Sequence, residues 1–120
     1  MLITMLKAKL HRCRATGCDL DYEGSCSVDE DLLDAVGILP HERLEIYNIT
    51  NGERFSTYAI AAPRGGGEIG INGAAARKAM PGDLLIICSY AMMSEDSARV
   101  FTPKIAILDE KNQIAAMKAS

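Results

Sequence analysis

The chain has 120 residues, enough for one domain with one hydrophobic core. Hydrophobic residues make up 48% of it, but aromatic residues only 5%, and tryptophan is absent, so the core must be aliphatic. A net charge of -3 and a pI near 5.3 exclude the broadly basic surface that nucleic acids or anionic membranes require.

The N-terminal segment does not resemble a secretory signal, because charged residues follow the short apolar run from Met1 to Leu6. No stretch has the apolar length that a bilayer requires. We therefore expect a cytoplasmic protein whose four cysteines are free thiols.

A histidine- and cysteine-rich run near the N-terminus raises a structural zinc site as an alternative. The run comprises His11, Cys13, Cys18 and Cys26. Its spacings of one, four and seven intervening residues do not form the paired ligands typical of zinc motifs. We expect small buried side chains here and no metal.

The segment from Leu6 to His11 alternates apolar and polar residues, which predicts a strand with one buried face. Lys7, Lys9 and His11 then project from the other face. Because lysines on strands are ordinarily solvated, we expect Lys7 at the surface.

A helix is predicted from Val28 to Val36. Ser27 to Glu30 matches a capping box, and Gly37 stands where a C-terminal cap belongs. Gly24 and Ser25 then lie in the connection between a strand and this helix.

A β-hairpin is predicted around Asn51 and Gly52, since both residues tolerate a positive φ. Its strands are Leu44–Thr50 and Glu53–Ala62. Strict alternation in the second strand places Arg54 and Tyr58 on one face and Thr57 on the other.

The rest of the chain alternates short apolar runs with turns. The predicted elements are a flexible turn at Arg64–Gly67, strands at Glu68–Asn72, Leu84–Tyr90 and Val100–Leu108, a brief helix over Asn72–Ala76, and turns at Pro81–Asp83 and Asp109–Asn112. Many short strands with one capped helix predict a small, mainly β barrel.

Five blocks of residues, in the same order and spacing, resemble the aspartate 1-decarboxylase family. They are Lys9–Arg12, Asp21–Ser25, Thr50–Gly52, Arg54–Ala62 and Asn72–Ala76. The resemblance extends to about Tyr90 and is weak in the C-terminal tail. It implies a small six-stranded double-psi β-barrel with short helices, in a homotetramer whose active sites lie between subunits.

The resemblance also implies a proenzyme that cuts itself between Gly24 and Ser25, into chains 1–24 and 25–120. A serine hydroxyl beside a sterically open glycine carbonyl suits such an attack. Ser25 would become a covalent pyruvoyl group, which forms a Schiff base with the substrate amine, without pyridoxal phosphate or a metal. Whether cleavage is spontaneous or needs an activating maturation factor is left open, because it depends on the strain of the loop.

The implied reaction is decarboxylation of L-aspartate to β-alanine and CO2, for pantothenate and coenzyme A synthesis. Tyr58 matches the proton donor of the family, and Thr57 matches a residue that contacts the cleaved bond and the substrate. Since these neighbours face opposite sides of a strand, one site can use both only if the strand bulges or if protein wraps it on both sides, as at a subunit interface.

Other family positions carry the substrate contacts. Lys9 and Arg54 match the cations that bind the substrate carboxylates, with His11 as an assisting residue or a plain surface histidine. Backbone contacts match Gly73, Ala74 and Ala75, and Asn72 could donate a hydrogen bond to the carbonyl during cleavage.

Two further alternatives stay open. One is a non-catalytic barrel that binds a small acidic ligand through Lys9 and Arg54. The other is a pyruvoyl decarboxylase for a different amino acid, although two cations favour a dicarboxylic substrate.

Overall fold

A computed structural model describes residues 1–119 of the chain. These residues form nine strands and two α-helices, with a 3-10 helix between the sixth and seventh strands. The elements are β1 (Leu2–Arg14), β2 (Gly17–Asp19), β3 (Ser25–Asp29), α1 (Glu30–Val36), β4 (Arg43–Asn48), β5 (Arg54–Ala62), β6 (Ile69–Asn72), the 3-10 helix (Gly73–Lys78), β7 (Leu84–Ser94), α2 (Glu95–Val100), β8 (Lys104–Leu108) and β9 (Ile114–Ala119).

The strands pair in the order β2-β6-β3-β5-β4-β7-β1-β8-β9. Pairing is antiparallel except between β2 and β6, β3 and β5, and β1 and β8. The mainly β class is therefore confirmed. The closed six-stranded double-psi barrel is not confirmed, because this order of nine strands leaves β2 and β9 at free ends.

The core is aliphatic, as the composition requires. Its largest fully buried side chains include Leu10, Leu44, Ile46, Ile69, Ile71, Leu85 and Ile87. They come from alternate positions of β1, β4, β6 and β7, so the intervening positions of the central strands face outward. This alternation presents the polar side chains of β4 and β5 on one outer face.

The helix start was predicted wrongly. Residues Ser25–Asp29 form a strand that pairs with β5 on one side and with β6 on the other, and all five are buried. The helix begins at Glu30, and the Asp29 side chain accepts from the backbone N–H of Asp31 at 2.9 Å in place of a Ser27 cap. Burial between two strands outweighs the local capping signal. The cap at Gly37 is confirmed, with φ 75°.

The turn after β5 is held by Asp29. Its carboxylate accepts from the N–H groups of Gly65 and Gly67, at 3.1 and 2.9 Å. Burial alone would raise the pKa of Asp29, but these donors and Asp31 more than offset it, so the pKa lies below its usual value. The glycine-rich turn, predicted as flexible, thus has defined partners that anchor the end of β3.

The C-terminal strand prediction began too early. Residues Glu95–Val100 form α2, whose cap is the Ser94 side chain accepting from the Ser97 N–H, and β8 begins at Lys104. Pro103 lacks a backbone N–H and therefore separates helix from strand. Among the helices in residues 1–119, none has the length and apolar character to cross a membrane.

Two irregularities in β1 change the contacts of its side chains. The pairing with β7 shifts at Lys7, whose ammonium is bound by both Glu42 oxygens at 2.8 Å instead of standing free in solvent as predicted. A second shift lies at Arg12, with φ 65°, so that Cys13 is buried in the core while His11 is only partly buried. No three histidine, cysteine or acidic side chains within residues 1–119 group as metal ligands.

Candidate active site

Ser25 is the first residue of β3 and is 1% exposed. It pairs with Asn72 of β6, and the next residue of β3, Cys26, pairs with Ala59 of β5, which follows Tyr58. Partners in register share a face of the sheet, so the Ser25 and Asn72 side chains lie on the same face. The fold thereby brings together a hydroxyl and an amide that are 47 residues apart along the chain.

The Ser25 hydroxyl has two hydrogen-bond partners. Its Oγ accepts from Asn72 Nδ2 at 3.0 Å and donates to the Glu23 carbonyl at 3.4 Å. Asn72 Nδ2 also donates to Ser27 Oγ at 3.0 Å. The amide therefore holds two hydroxyls, and the hydrogen bond that it could donate to the carbonyl during cleavage stays a prediction.

Gly73 presses against the loop that carries the predicted cleavage bond. Its φ is +68°, and a Cβ built on it would lie 2.6 Å from Gly24 Cα, 2.7 Å from Gly24 N and 3.0 Å from the Tyr22 carbonyl. No side chain can fit at this distance from backbone atoms. The glycine is thus required for close packing of the loop, separately from the substrate contact implied by the resemblance.

Tyr58 lies on the outer face, 37% exposed, with its ring centroid 6.4 Å from that of His41. Thr57 is half-buried and faces the opposite way. The β4–β5 pairing runs from Tyr58 to Arg54 without a register shift, so a bulge does not reconcile Thr57 with Tyr58. A site that uses both residues would therefore need protein on both sides of β5, which stays a prediction.

The predicted substrate cations form a second group on the outer face. The Arg54 guanidinium lies over the Tyr47 ring, 4.1 Å from its centroid, a cation–π contact that limits its motion. Burial raises the pKa of the Cys88 thiol, and Tyr90, Lys9 and Arg54 offset part of that rise. Lys9 and Arg54 thus both lie on the side of the sheet near Cys88. Neither has an acidic partner within residues 1–119.

These cations do not converge on Ser25 within one chain. Arg54 is four residues from Tyr58 along β5, which corresponds to roughly 13 Å of strand. Lys9 lies on β1, separated from β5 by β4 and β7 in the sheet. Residues near the cleavage bond and residues that could bind carboxylates thus form two groups.

The segment after Asn72 is compact. Ala74 is exposed and Ala75 is half-buried at the start of the 3-10 helix, and Asn72 makes no side-chain cap to this helix. Short side chains next to Gly73 leave the backbone accessible, as a backbone contact with substrate requires.

Comparison with known proteins identifies the family. The sequence profile described as aspartate decarboxylase matches residues 1–115. The aspartate 1-decarboxylase of Ralstonia pickettii (strain 12J) is 59% identical over 114 residues, covering 95% of each chain. That of Caulobacter vibrioides (strain ATCC 19089) is 58% identical, covering 95% of this chain and 97% of its own. The chain belongs to the aspartate decarboxylase family.

Membership makes this chain an enzyme of the aspartate 1-decarboxylase type, as the resemblance predicted. The sequence did not predict two contacts near Ser25. Ser27 shares the Asn72 amide, which its position two residues further along the same strand face could have indicated. The contact between Gly73 and Gly24 had no local signal, because it joins segments almost fifty residues apart.

If the chain cuts itself between Gly24 and Ser25 as the resemblance implies, replacing Gly73 with alanine should slow that processing at least about tenfold, because the new Cβ must displace the loop at Gly24. Gly82→Ala is the matched control. Gly82 also has a positive φ, +92°, but nothing lies within 4 Å of its Cβ position, so it carries the backbone strain without the clash. The cleaved fraction after expression, read on a denaturing gel, measures the effect. Equal processing in both variants would contradict the proposed packing role.

Proposed function

We propose that this chain is a self-processing, pyruvoyl-dependent enzyme that converts L-aspartate to β-alanine and CO2. It cuts itself between Gly24 and Ser25 into chains 1–24 and 25–120. The observation that carries this proposal is the buried Ser25 hydroxyl, held by the Asn72 amide beside the exposed Gly24. Family membership supports the reaction on aspartate.

The cleavage uses atoms of this chain and one water. Ser25 Oγ attacks the Gly24 carbonyl carbon, the C–N bond breaks, and an ester with a free amine at position 25 results. Loss of the Ser25 α-proton and rupture of the ester C–O bond release the Gly24 carboxylate and leave dehydroalanine. Water then replaces the amine as ammonia and produces the pyruvoyl group.

The residues around Ser25 suit this sequence of steps. The bond from Asn72 Nδ2 occupies one lone pair of Oγ, and the bond to the Glu23 carbonyl directs its proton. This fixes the hydroxyl next to the peptide bond that it must attack. Exclusion of water by burial protects the ester from premature hydrolysis.

Decarboxylation needs an electron sink, which the carbonyl of a pyruvoyl group at position 25 supplies when it has formed. Tyr58, which precedes Ala59, the first β5 partner of β3, protonates the substrate carbon after CO2 leaves. Thr57 and the backbone of Gly73, Ala74 and Ala75 position the substrate. Lys9 and Arg54 bind its two carboxylates. Binding the carboxylate that stays on the product stabilises the ground state and the transition state alike, so it does not oppose the loss of CO2.

The active site is proposed to lie between subunits of a homotetramer. Thr57 and Tyr58 face opposite sides of β5 without a bulge, and Lys9 and Arg54 stand apart from Ser25 in one chain. A second copy docked on the outer face would place its own Lys9 and Arg54 near Ser25 of the first copy.

The β-alanine that forms feeds pantothenate and coenzyme A synthesis in the cytoplasm. The four free cysteines support this location. The six-stranded double-psi barrel is supported by the parallel pairs β1–β8 and β3–β5, which join distant parts of the chain. Processing that needs added cell extract would indicate an activating maturation factor.

Intact-mass spectrometry of the purified protein, with an assay of β-alanine from L-aspartate, tests the proposal. We expect two chains whose summed mass equals that of the precursor plus one water minus one ammonia, and β-alanine formation only after processing. A single chain that binds aspartate without releasing CO2 would instead establish a non-catalytic binding barrel. Release of CO2 from another amino acid, but not from aspartate, would reassign the substrate.

A further inference from the structure

Two tyrosines on the outer face of the sheet are joined through their hydroxyl groups. The Tyr47 and Tyr90 oxygens lie 2.8 Å apart. Tyr47 belongs to β4 and Tyr90 to β7, and the β7 residue in register with Tyr47 is Ile86, four positions from Tyr90. Four positions correspond to roughly 13 Å of strand, so both rings must lie along the sheet to meet. The bond therefore fixes both rings on this face, and neither cleavage nor decarboxylation uses it.

Tyr47 also contacts Arg54. The two residues are in register on β4 and β5, and the guanidinium carbon of Arg54 is 4.1 Å from the centroid of the Tyr47 ring. Tyr90, Tyr47 and Arg54 thus form a continuous row of contacts across three neighbouring strands. The Tyr47 ring is held by the backbone at one end and by the Tyr90 hydroxyl at the other, so it offers the guanidinium a fixed surface.

The restraint on Arg54 differs from an ion pair. Glu45 lies two positions before Tyr47 on the same face of β4. Its carboxylate accepts from Arg43 Nε at 2.9 Å and from Ser56 Oγ at 2.6 Å, and Arg54 has no acidic partner within residues 1–119. Contact with an aromatic ring uses none of the N–H donors of a guanidinium, whereas a bidentate carboxylate would occupy two of them. Arg54 is therefore held in place while its charge and its donors stay available to an anion.

We propose that Tyr90 is a positioning residue that acts on Arg54 through Tyr47. The role of Arg54 as a ligand of the substrate rests on the proposed function, whereas the hydroxyl pair that holds it does not. An unrestrained arginine side chain loses rotamer freedom when it binds an anion, and an arginine that is already held loses less. This ordering cost is met when the substrate binds, so it is common to the substrate complex and the transition state. The hydroxyl pair should therefore affect KM and leave kcat unchanged.

Nitrogen-15 relaxation of the arginine side chains tests the restraint without catalysis. The Nε–H signal of Arg54 in the full-length protein is assigned by its loss in Arg54→Lys. In Tyr90→Phe we expect the order parameter of this group to fall below about 0.6, the range of flexible groups, because the Tyr47 ring has lost its second anchor. Tyr90 is 40% exposed, so the substitution should leave the fold intact. An unchanged order parameter in Tyr90→Phe overturns the proposal and leaves the proposed function standing.

Steady-state kinetics of the processed enzyme test the consequence for substrate binding. Tyr90→Phe and Tyr47→Phe should each raise KM for aspartate about threefold with kcat unchanged, as expected for loss of one exposed hydrogen bond. The double variant should raise KM no further, because both substitutions remove the same bond. Thr4→Val is the control, since Thr4 lines the same cavity as Tyr90 but is not part of the hydroxyl pair, and its KM should be unchanged.

The Arg54→Ala background shows whether Tyr90 acts through Arg54. Tyr90→Phe should add nothing to the KM of Arg54→Ala, because the side chain that it positions is gone. A threefold rise that persists in this background overturns the proposal, since Tyr90 would then act independently of Arg54. A more mobile Arg54 in Tyr90→Phe, in a protein that forms no β-alanine, supports the positioning role and overturns the proposed function.

Discussion

Ser25→Ala is expected to remain a single chain of 120 residues and to form no β-alanine. Without Oγ nothing attacks the Gly24 carbonyl, and no pyruvoyl group can arise. The fold should persist, because the variant loses two hydrogen bonds, of about 1 kcal/mol each, while Asn72 keeps its bond to Ser27. Intact mass and the aspartate assay measure the two losses.

Ser27→Ala provides the control for this result. Ser27 is buried on the same strand face and accepts from the same Asn72 nitrogen at the same 3.0 Å. Loss of the Ser27 hydroxyl removes one partner of Asn72, as loss of the Ser25 hydroxyl does, but it leaves the attacking group in place. Processing should therefore continue. Cleavage at the Gly24–Ser25 bond in Ser25→Ala would show that Ser25 is not the attacking residue. A complete block in Ser27→Ala would show that the contacts of Asn72 alone control cleavage, and the block in Ser25→Ala would then not identify the attacking residue.

Tyr58→Phe should process normally but lose at least about a hundredfold in kcat, the usual contribution of a positioned general acid. The cleavage steps assigned to Ser25 do not use the phenol. Structural damage should be small, since Tyr58 is 37% exposed and its hydroxyl makes no hydrogen bond within the described chain. Turnover of the processed variant, measured as β-alanine per active subunit, gives the effect.

Tyr22→Phe is the comparison for Tyr58→Phe. Tyr22 is 53% exposed, and its backbone carbonyl is the atom that faces the Cβ position of Gly73, so loss of its hydroxyl should leave both processing and turnover intact. Full activity in Tyr58→Phe would remove Tyr58 as the proton donor. Failure of Tyr58→Phe to process would instead assign the phenol to the cleavage step.

Local patterns predicted the elements whose boundaries depend on neighbouring residues. The Asn51-Gly52 turn joins β4 and β5, with Gly52 at φ 80°, and Gly37 ends α1 in a left-handed conformation. Alternation in β5 correctly separated Thr57 from Tyr58. Each of these features follows from backbone preferences within a few residues.

Predictions failed where distant segments compete with a local signal. The Ser27 cap gave way to a strand because β5 and β6 bury residues Ser25–Asp29 from both sides. Lys7 was predicted as solvated, but a bulge in β1 directs it to Glu42, which also accepts from the Ser89 hydroxyl. Neither partner is visible from the residues around Lys7.

The sequence by itself determined which reactive groups this protein has, because a serine after a glycine, a phenol and two cations are properties of residue type and order. Only the tertiary structure decided which of them meet. Strand pairing sets Ser25 against Asn72, packs Gly73 onto Gly24 and brings Tyr90 to Tyr47 beside Arg54. Such contacts depend on burial and backbone hydrogen bonding summed over whole strands, so no window of neighbouring residues contains them.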